Sequence, residues 1–141
     1  MSDPETQSVK RAIEPQGKQA DTGGYSSGVL VDGWLYISGQ GPLDLSVGKV
    51  IEGSVAEQTK LTLENVAGVL RAAGGRLDDI VKCGAHLADI DDFAEYDAAY
   101  RAFFAGCTLP ARTTVQSGLL GIKVEIDAIA YLGHRAESDG K

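Results

Sequence analysis

The chain has 141 residues, of which 43% are hydrophobic, and it carries a formal net charge of −7 at pH 7. That length suffices for one domain whose core needs no metal or disulfide to hold it. The acidic balance, with Lys10 and Arg11 the one adjacent basic pair, argues against a nucleic-acid partner; no apolar run is long enough to cross a bilayer, and the polar start MSDPETQSVKR does not read as a secretory signal, so a cytoplasmic protein is expected.

Taken in chain order, residues 1–18 read as a mobile N-terminal segment, with a short edge strand at Ala12-Ile13. Residues 19–133 read as a single domain, and 134–141 as a polar tail. Thr22 to Gly28 is a turn-rich loop around Tyr25. In GVLVDGWLYISGQ, Asp32-Gly33 between two apolar runs predicts a type I′ hairpin of Val29–Val31 with Trp34–Ser38. The second strand runs into Ser38-Gly39-Gln40-Gly41-Pro42, a loop whose backbone can approach a ligand closely. Val50-Ile51 follows a turn and adds a short strand.

Ser54 followed by Glu57 is a capping box. Leu63, Val66, Ala67 and Leu70 then recur with helical spacing, and Gly74-Gly75 ends the helix. IVKCGAHLADI, between Asp79 and Ile90, predicts a strand. Asp92 with Glu95 reads as a second cap, opening a helix lined by Phe93, Tyr96, Tyr100 and Phe103 and ending at Gly106. LPARTTVQSGLLGIKVEIDAIAYL, from Leu109 to Leu132, predicts a final hairpin turning at Gly118 to Gly121.

The predicted fold class is α+β: one mixed sheet with two helices packed on one face, in two layers. In the last strand Val124, Ile126, Ala128, Ala130 and Leu132 point to the helices. Lys123, Glu125, Asp127, Ile129 and Tyr131 point the other way. That second face is neither fully apolar nor fully polar, and it predicts packing against another copy of the chain.

Few residues announce chemistry. Cys83 and Cys107 lack metal-ligand spacing, so no metal site is expected; Cys83 reads as a buried thiol. His86 lies mid-strand and reads as a sheet residue rather than a base, and His134 as a solvated tail residue. Arg112, behind a proline, is either a rim charge or a carboxylate-binding fork. Glu125 is flanked by apolar residues, so it is either ion-paired or an acid/base group in a cleft.

Four stretches read together carry a resemblance: GGYSSGVLVDGWLYISGQGPLD, EQTKLTLENVAGVLRAAGG, DDIVKCGAHLADIDDFAEYDAAYRAFF, and PARTTV with VEIDAIA. In their order and spacing the chain resembles the RidA family, also called the YjgF family, from about Gly23 to Leu132. The resemblance implies a chorismate-mutase-like fold and a homotrimer whose sheets form an inner barrel, with ligand sites between subunits. It implies hydrolytic deamination of reactive imine or enamine carboxylates, such as 2-iminopropanoate and 2-iminobutanoate, to 2-oxo acids and ammonia without a cofactor. It puts the carboxylate-binding arginine at Arg112, a ligand-holding backbone amide at Thr114, the water-orienting glutamate at Glu125, the pocket tyrosine at Tyr25 and a Ser-Gly wall at Ser38 and Gly39.

Four departures accompany it. Asp97 stands where deaminating members carry Asn, Gly41 removes a bulky wall residue, Thr114 replaces a residue that is Cys in some members, and the stretch between Arg112 and Glu125 is about two residues shorter. They point to an altered substrate. The alternative is a module that binds a small carboxylate metabolite without turnover. A third reading, endoribonuclease, is attached to some relatives, and the acidic charge counts against it.

Overall fold

The computed structural model describes residues 9–133. The front of the N-terminal segment, 1–8, and the tail 134–141 with His134 lie outside the described residues.

Asp32 at φ 52° and Gly33 at φ 81° make the turn that the Asp-Gly pair predicts. It joins β2 (Gly28–Val31) to β3 (Trp34–Gln40), and β1 (Arg11–Ile13) pairs with the outer side of β2. Leu43–Asp44 and Lys49–Val50, β4 and β5, form their own small hairpin rather than joining the main sheet. Both halves of the Ser54–Glu57 box are made at the start of α1 (Val55–Ala72). Leu63, Val66, Ala67 and Leu70 are all buried along it, and each fully buried Leu contributes about 1.5–3 kcal/mol. Gly74, at φ 84°, terminates the helix.

β6 (Ile80–Leu87) leads through a 3-10 turn at Ile90–Asp92 into α2 (Phe93–Phe103). The expected cap at Asp92 is not made: Asp92 accepts no capping bond, and the turn is instead closed by Asp89, which accepts from the Asp91 amide. Glu95 is used across the helix layer, accepting from the Ala56 amide at 2.9 Å. Asp89 wins because its side chain reaches the first free amide of the preceding turn.

The expected final hairpin is also corrected. β7 (Ala111–Gln116) and β8 (Val124–Tyr131) do not pair; β6 lies between them, parallel to β7 and antiparallel to β8. The order is β1-β2-β3-β8-β6-β7. The connection 117–123 is too long for a tight turn and steps over the end of β6. Hydrogen bonds from Ser117 N to Leu87 O and from Ala88 N to Lys123 O fasten it there. β8 thereby becomes a central strand, which explains its fully buried Val124, Ile126 and Ala130. Both helices cover that face. The other face exposes Trp34, Tyr36, Val115 and Tyr131, and Trp34 packs on Tyr131 with centroids 4.6 Å apart. No helix among the described residues is long and apolar enough to cross a membrane.

Candidate functional site

Arg112 is the second residue of β7, level with Cys83 of β6. Cys83 is fully buried, so Arg112 points to the helix side of the sheet. Phe93, Tyr96 and Tyr100 recur on one face of α2 and receive it. The guanidinium carbon lies 4.6 Å from the Tyr100 ring centroid, 5.2 Å from Tyr96 and 5.6 Å from Phe93, close enough for cation–π attraction. Its Nη1 donates to Asp97 Oδ1 at 2.8 Å. The other oxygen of Asp97 accepts from Arg101 Nε at 3.0 Å.

These contacts set the charges. The Arg101 hydrogen bond, then, against the cost of burial, that of Arg112, holds the Asp97 carboxyl below its usual range. Burial works against the Arg112 charge, but the Asp97 bond and the neighbouring Tyr96 outweigh it, and its pKa is raised. Burial pushes the phenols of Tyr96 and Tyr100 and the Cys83 thiol up, so all three stay neutral. Asp97 is therefore neither protonated nor turned away from the arginine: it is ionised and shared by two guanidinium groups. Arg101, Tyr100, Leu109 and Pro110 complete a cavity of about 190 Å³ with Asp97 and Arg112. Arg101 escaped the sequence reading, though its i,i+4 spacing from Asp97 was a usable signal.

Thr114 follows two residues after Arg112 on the same side, its Oγ1 2.9 Å from Tyr96 OH. Ser117 N bonds toward β6. Strand alternation then directs the Thr114 N–H to the free edge of the sheet, where β7 has no partner strand.

Glu125 is elsewhere. It sits between Val124 and Ile126, both fully buried on the helix side, so it projects from the open face. Arg112 and Glu125 are separated by two strand spacings, roughly 10 Å, and by the thickness of the sheet. One chain does not bring them together. Gly39, in the irregular end of β3, adjoins Glu125: a Cβ there would stand 2.6 Å from its Oε2. Ser38 is tied back by its Oγ to Ser26 O at 2.7 Å. Tyr25 is half-exposed, its OH 2.8 Å from Thr22 Oγ1 and its ring 5.5 Å from Lys18 Nζ. It precedes β2, four strand positions from β7, about 19 Å. The residues singled out in the sequence thus divide in two: Arg112, Asp97 and Thr114 under α2, and Glu125, Gly39 and Ser38 on or beside the open face, with Tyr25 beyond them.

A constellation that sequence reasoning missed lies beside Glu125. His86 Nδ1 is 2.8 Å from Ser117 Oγ, and its Nε2 is 3.4 Å from Asp127 Oδ2. These three residues are far apart in sequence, and only the insertion of β6 between β7 and β8 joins them. Cys107 is half-buried against the core beside Phe104, its amide bonded to Phe104 O. Among the described residues no group of three or more His, Cys, Asp or Glu is placed to hold a metal.

Known proteins match this arrangement along most of the chain. The family model described as Endoribonuclease L-PSP matches residues 16–132. The 2-iminobutanoate/2-iminopropanoate deaminase of Rattus norvegicus is 40% identical over 127 residues, covering 89% of this chain and 92% of the relative. A RutC family protein of Pyrococcus horikoshii is 35% identical, covering 87% and 98%. Among solved structures, E. coli TdcF with bound serine superposes with TM-score 0.79 at 35% identity, over 86% of this chain and 98% of that one. A Rid family protein of Yersinia pestis gives TM-score 0.81 at 35% identity, over the same shares. The α+β architecture, the span of the family model and the identity to these relatives agree, and the chain belongs to the RidA (YjgF) family.

Proposed function

We propose that this protein is a hydrolytic deaminase of small, reactive imine or enamine carboxylates, working without a cofactor as a cytoplasmic homotrimer, with 2-oxo acids and ammonia as products. The observation that carries the reading is Arg112: a guanidinium fixed by Asp97 and three aromatic rings, at the wall of a cavity sized for a small metabolite. The 40% identity to mammalian enzymes named as 2-iminobutanoate/2-iminopropanoate deaminases supports the reaction class.

In this mechanism the Arg112 fork and the Thr114 amide take the substrate carboxylate. Glu125 removes a proton from water as the oxygen adds to the imine carbon, and the C=N electron pair moves to nitrogen. The proton passes to that nitrogen, giving a carbinolamine. Glu125 then moves the hydroxyl proton to nitrogen, the C–N bond breaks, and ammonia leaves as the carbonyl forms. Each half-reaction returns Glu125 as carboxylate. Positioning supplies much of the acceleration, because an imine is already electrophilic.

The separation of Arg112 from Glu125 and Tyr25 supports a site shared between subunits. The edge of β7 from one copy would meet the open face and the Tyr25 loop of another, with Ser38 and Gly39 as wall. Burying Trp34, Tyr36 and Tyr131 there would remove the exposed aromatic band.

The test is release of oxo acid and ammonia from freshly generated 2-iminopropanoate and 2-iminobutanoate, with Arg112→Ala alongside and the mass in solution measured. Equal rates for wild type and Arg112→Ala overturn the site; a stable monomer overturns its shared nature. A second reading, a binding or regulatory module for a small carboxylate, is favoured by one observation: Asp97 already occupies part of the Arg112 fork. Ligand-dependent thermal stabilisation with no turnover would select it.

A further inference from the structure

Arg101 lies one helical turn beyond Asp97 on α2, and both side chains line the cavity that holds Arg112. Asp97 divides its oxygens between two guanidinium groups. Oδ1 is 2.8 Å from Arg112 Nη1, and Oδ2 accepts from Arg101 Nε at 3.0 Å. The two arginines differ in setting. The Arg101 side chain is 69% exposed, whereas those of Arg112 and Asp97 are each 20% exposed. Among the described residues Asp97 is the one carboxylate paired with Arg112, and that ion pair is made at Nη1.

A guanidinium carries five N–H donors and receives a carboxylate best through two of them in parallel. An ionised carboxylate beside such a fork, with nothing else to hold it, turns both oxygens to it. The terminal torsion of an aspartate is broad, so that turn costs little. Arg101 supplies the opposing hold, because it keeps Oδ2 on a separate donor. The same bond is the first cause of the low pKa of the Asp97 carboxyl, so the restrained form is the charged one, which competes most strongly for a guanidinium. Arg112 is itself fixed by the rings of Phe93, Tyr96 and Tyr100, which leaves Asp97 as the partner free to turn. Arg101 also stands in the last turn of α2, where a cation suits the helix dipole; that role alone predicts no change in ligand affinity.

We propose that Arg101 is a positioning residue for the carboxylate site: by holding one oxygen of Asp97 it keeps that side chain from chelating Arg112, and so leaves the rest of the fork open to the carboxylate of a substrate. Asp97 fixes the guanidinium at one nitrogen, and Arg101 limits it to that. The cavity then holds two guanidinium groups and one carboxylate, a single net positive charge that one ligand carboxylate neutralises. The proposal rests on the assignment of Arg112 to carboxylate binding, and the test separates the two.

Two quantities are compared across variants: KM and kcat for hydrolysis of 2-iminopropanoate, and the Kd by calorimetry for pyruvate, the 2-oxo acid formed from it. Arg101 is largely exposed, so its variants should fold, and the thermal midpoint of each is recorded. Arg101→Ala is expected to raise KM and the pyruvate Kd about tenfold with kcat unchanged, since the ligand must now displace a chelating carboxylate. Arg101→Lys keeps a cation within reach of Asp97 and should lie closer to wild type. The decisive variant is the double one. With the charge at position 97 gone there is nothing to restrain, so Arg101→Ala/Asp97→Asn should match Asp97→Asn in both constants, a coupling that a purely structural role does not produce. If Arg101→Ala keeps the wild-type KM and Kd, the proposal falls while Arg112 keeps its role. If the double variant is weakened relative to Asp97→Asn as much as Arg101→Ala is relative to wild type, Arg101 attracts the anion directly and the proposal falls as well. If Arg112→Ala binds pyruvate and hydrolyses the imine as the wild type does, or the wild type does neither, the assignment of Arg112 falls and takes Arg101 with it.

Discussion

The two faces of the sheet are finished to different degrees. Under α2, Arg112 has its whole environment from its own chain: an ion pair, three rings, and a threonine hydroxyl nearby that is itself bonded. On the open face, Glu125 has a glycine beside it, a histidine opposite, and no bonded partner among the described residues. An anion-binding group can be built in advance, because its partner in the free protein, Asp97, imitates the carboxylate it is proposed to receive. A base that must exchange protons with water cannot be tied up in the same way.

The sharpest way to break this contrast is to remove the finished side. Arg112→Ala should lower kcat/KM by about 10²–10³-fold, the scale of removing one partner of a half-buried charge pair. Arg112→Lys should recover only part, since an ammonium lacks the planar fork. The open side is tested by Glu125→Gln. Its expected loss of about 100-fold in kcat should come with an almost unchanged thermal midpoint, because the carboxylate makes no bond among the described residues. A large midpoint shift would mean that Glu125 is structural and the contrast is false.

Gly39→Ala probes the same side more gently. Its Cβ would displace the end of a flexible side chain rather than backbone, so folding should survive. Turnover should fall about tenfold as the carboxylate moves. Unchanged kinetics would show that the position of Glu125 is immaterial.

The smallest effect is expected at Asp97. Its folded pKa lies below the usual value, the Arg101 bond being the first cause and Arg112 the next favourable one. The stability it contributes is therefore present above the unfolded pKa of about 4 and is lost as pH falls through the lower folded value. Asp97→Asn should cost about 1 kcal/mol near neutral pH, since Arg101 is largely exposed and an amide oxygen at position 97 can still accept from Arg112. That deficit, read by denaturant unfolding, should shrink toward zero in acid. A deficit independent of pH would exclude the ion pair as its source.

Much of the fold was written locally. The Asp32-Gly33 turn, the Ser54–Glu57 box and the spacing of Leu63, Val66, Ala67 and Leu70 each depend on residues within a few positions of one another. Such contacts form in any context that permits the element. The resemblance carried the family and the candidate residues, and Arg112 with Asp97 and Thr114 did come together. The hairpin for residues 109–132 failed because it assumed that neighbours in sequence are neighbours in the sheet.

The amino-acid sequence by itself determined the elements, the α+β class, the alternation that put Glu125 opposite the core-facing residues, and a guanidinium behind Pro110. Tertiary structure alone decided that β6 enters between β7 and β8. From that one insertion follow the two strand spacings between Arg112 and Glu125 and the meeting of Ser117, His86 and Asp127. Strand order is chosen by the burial of a whole apolar face, a sum over many distant residues that no short stretch encodes.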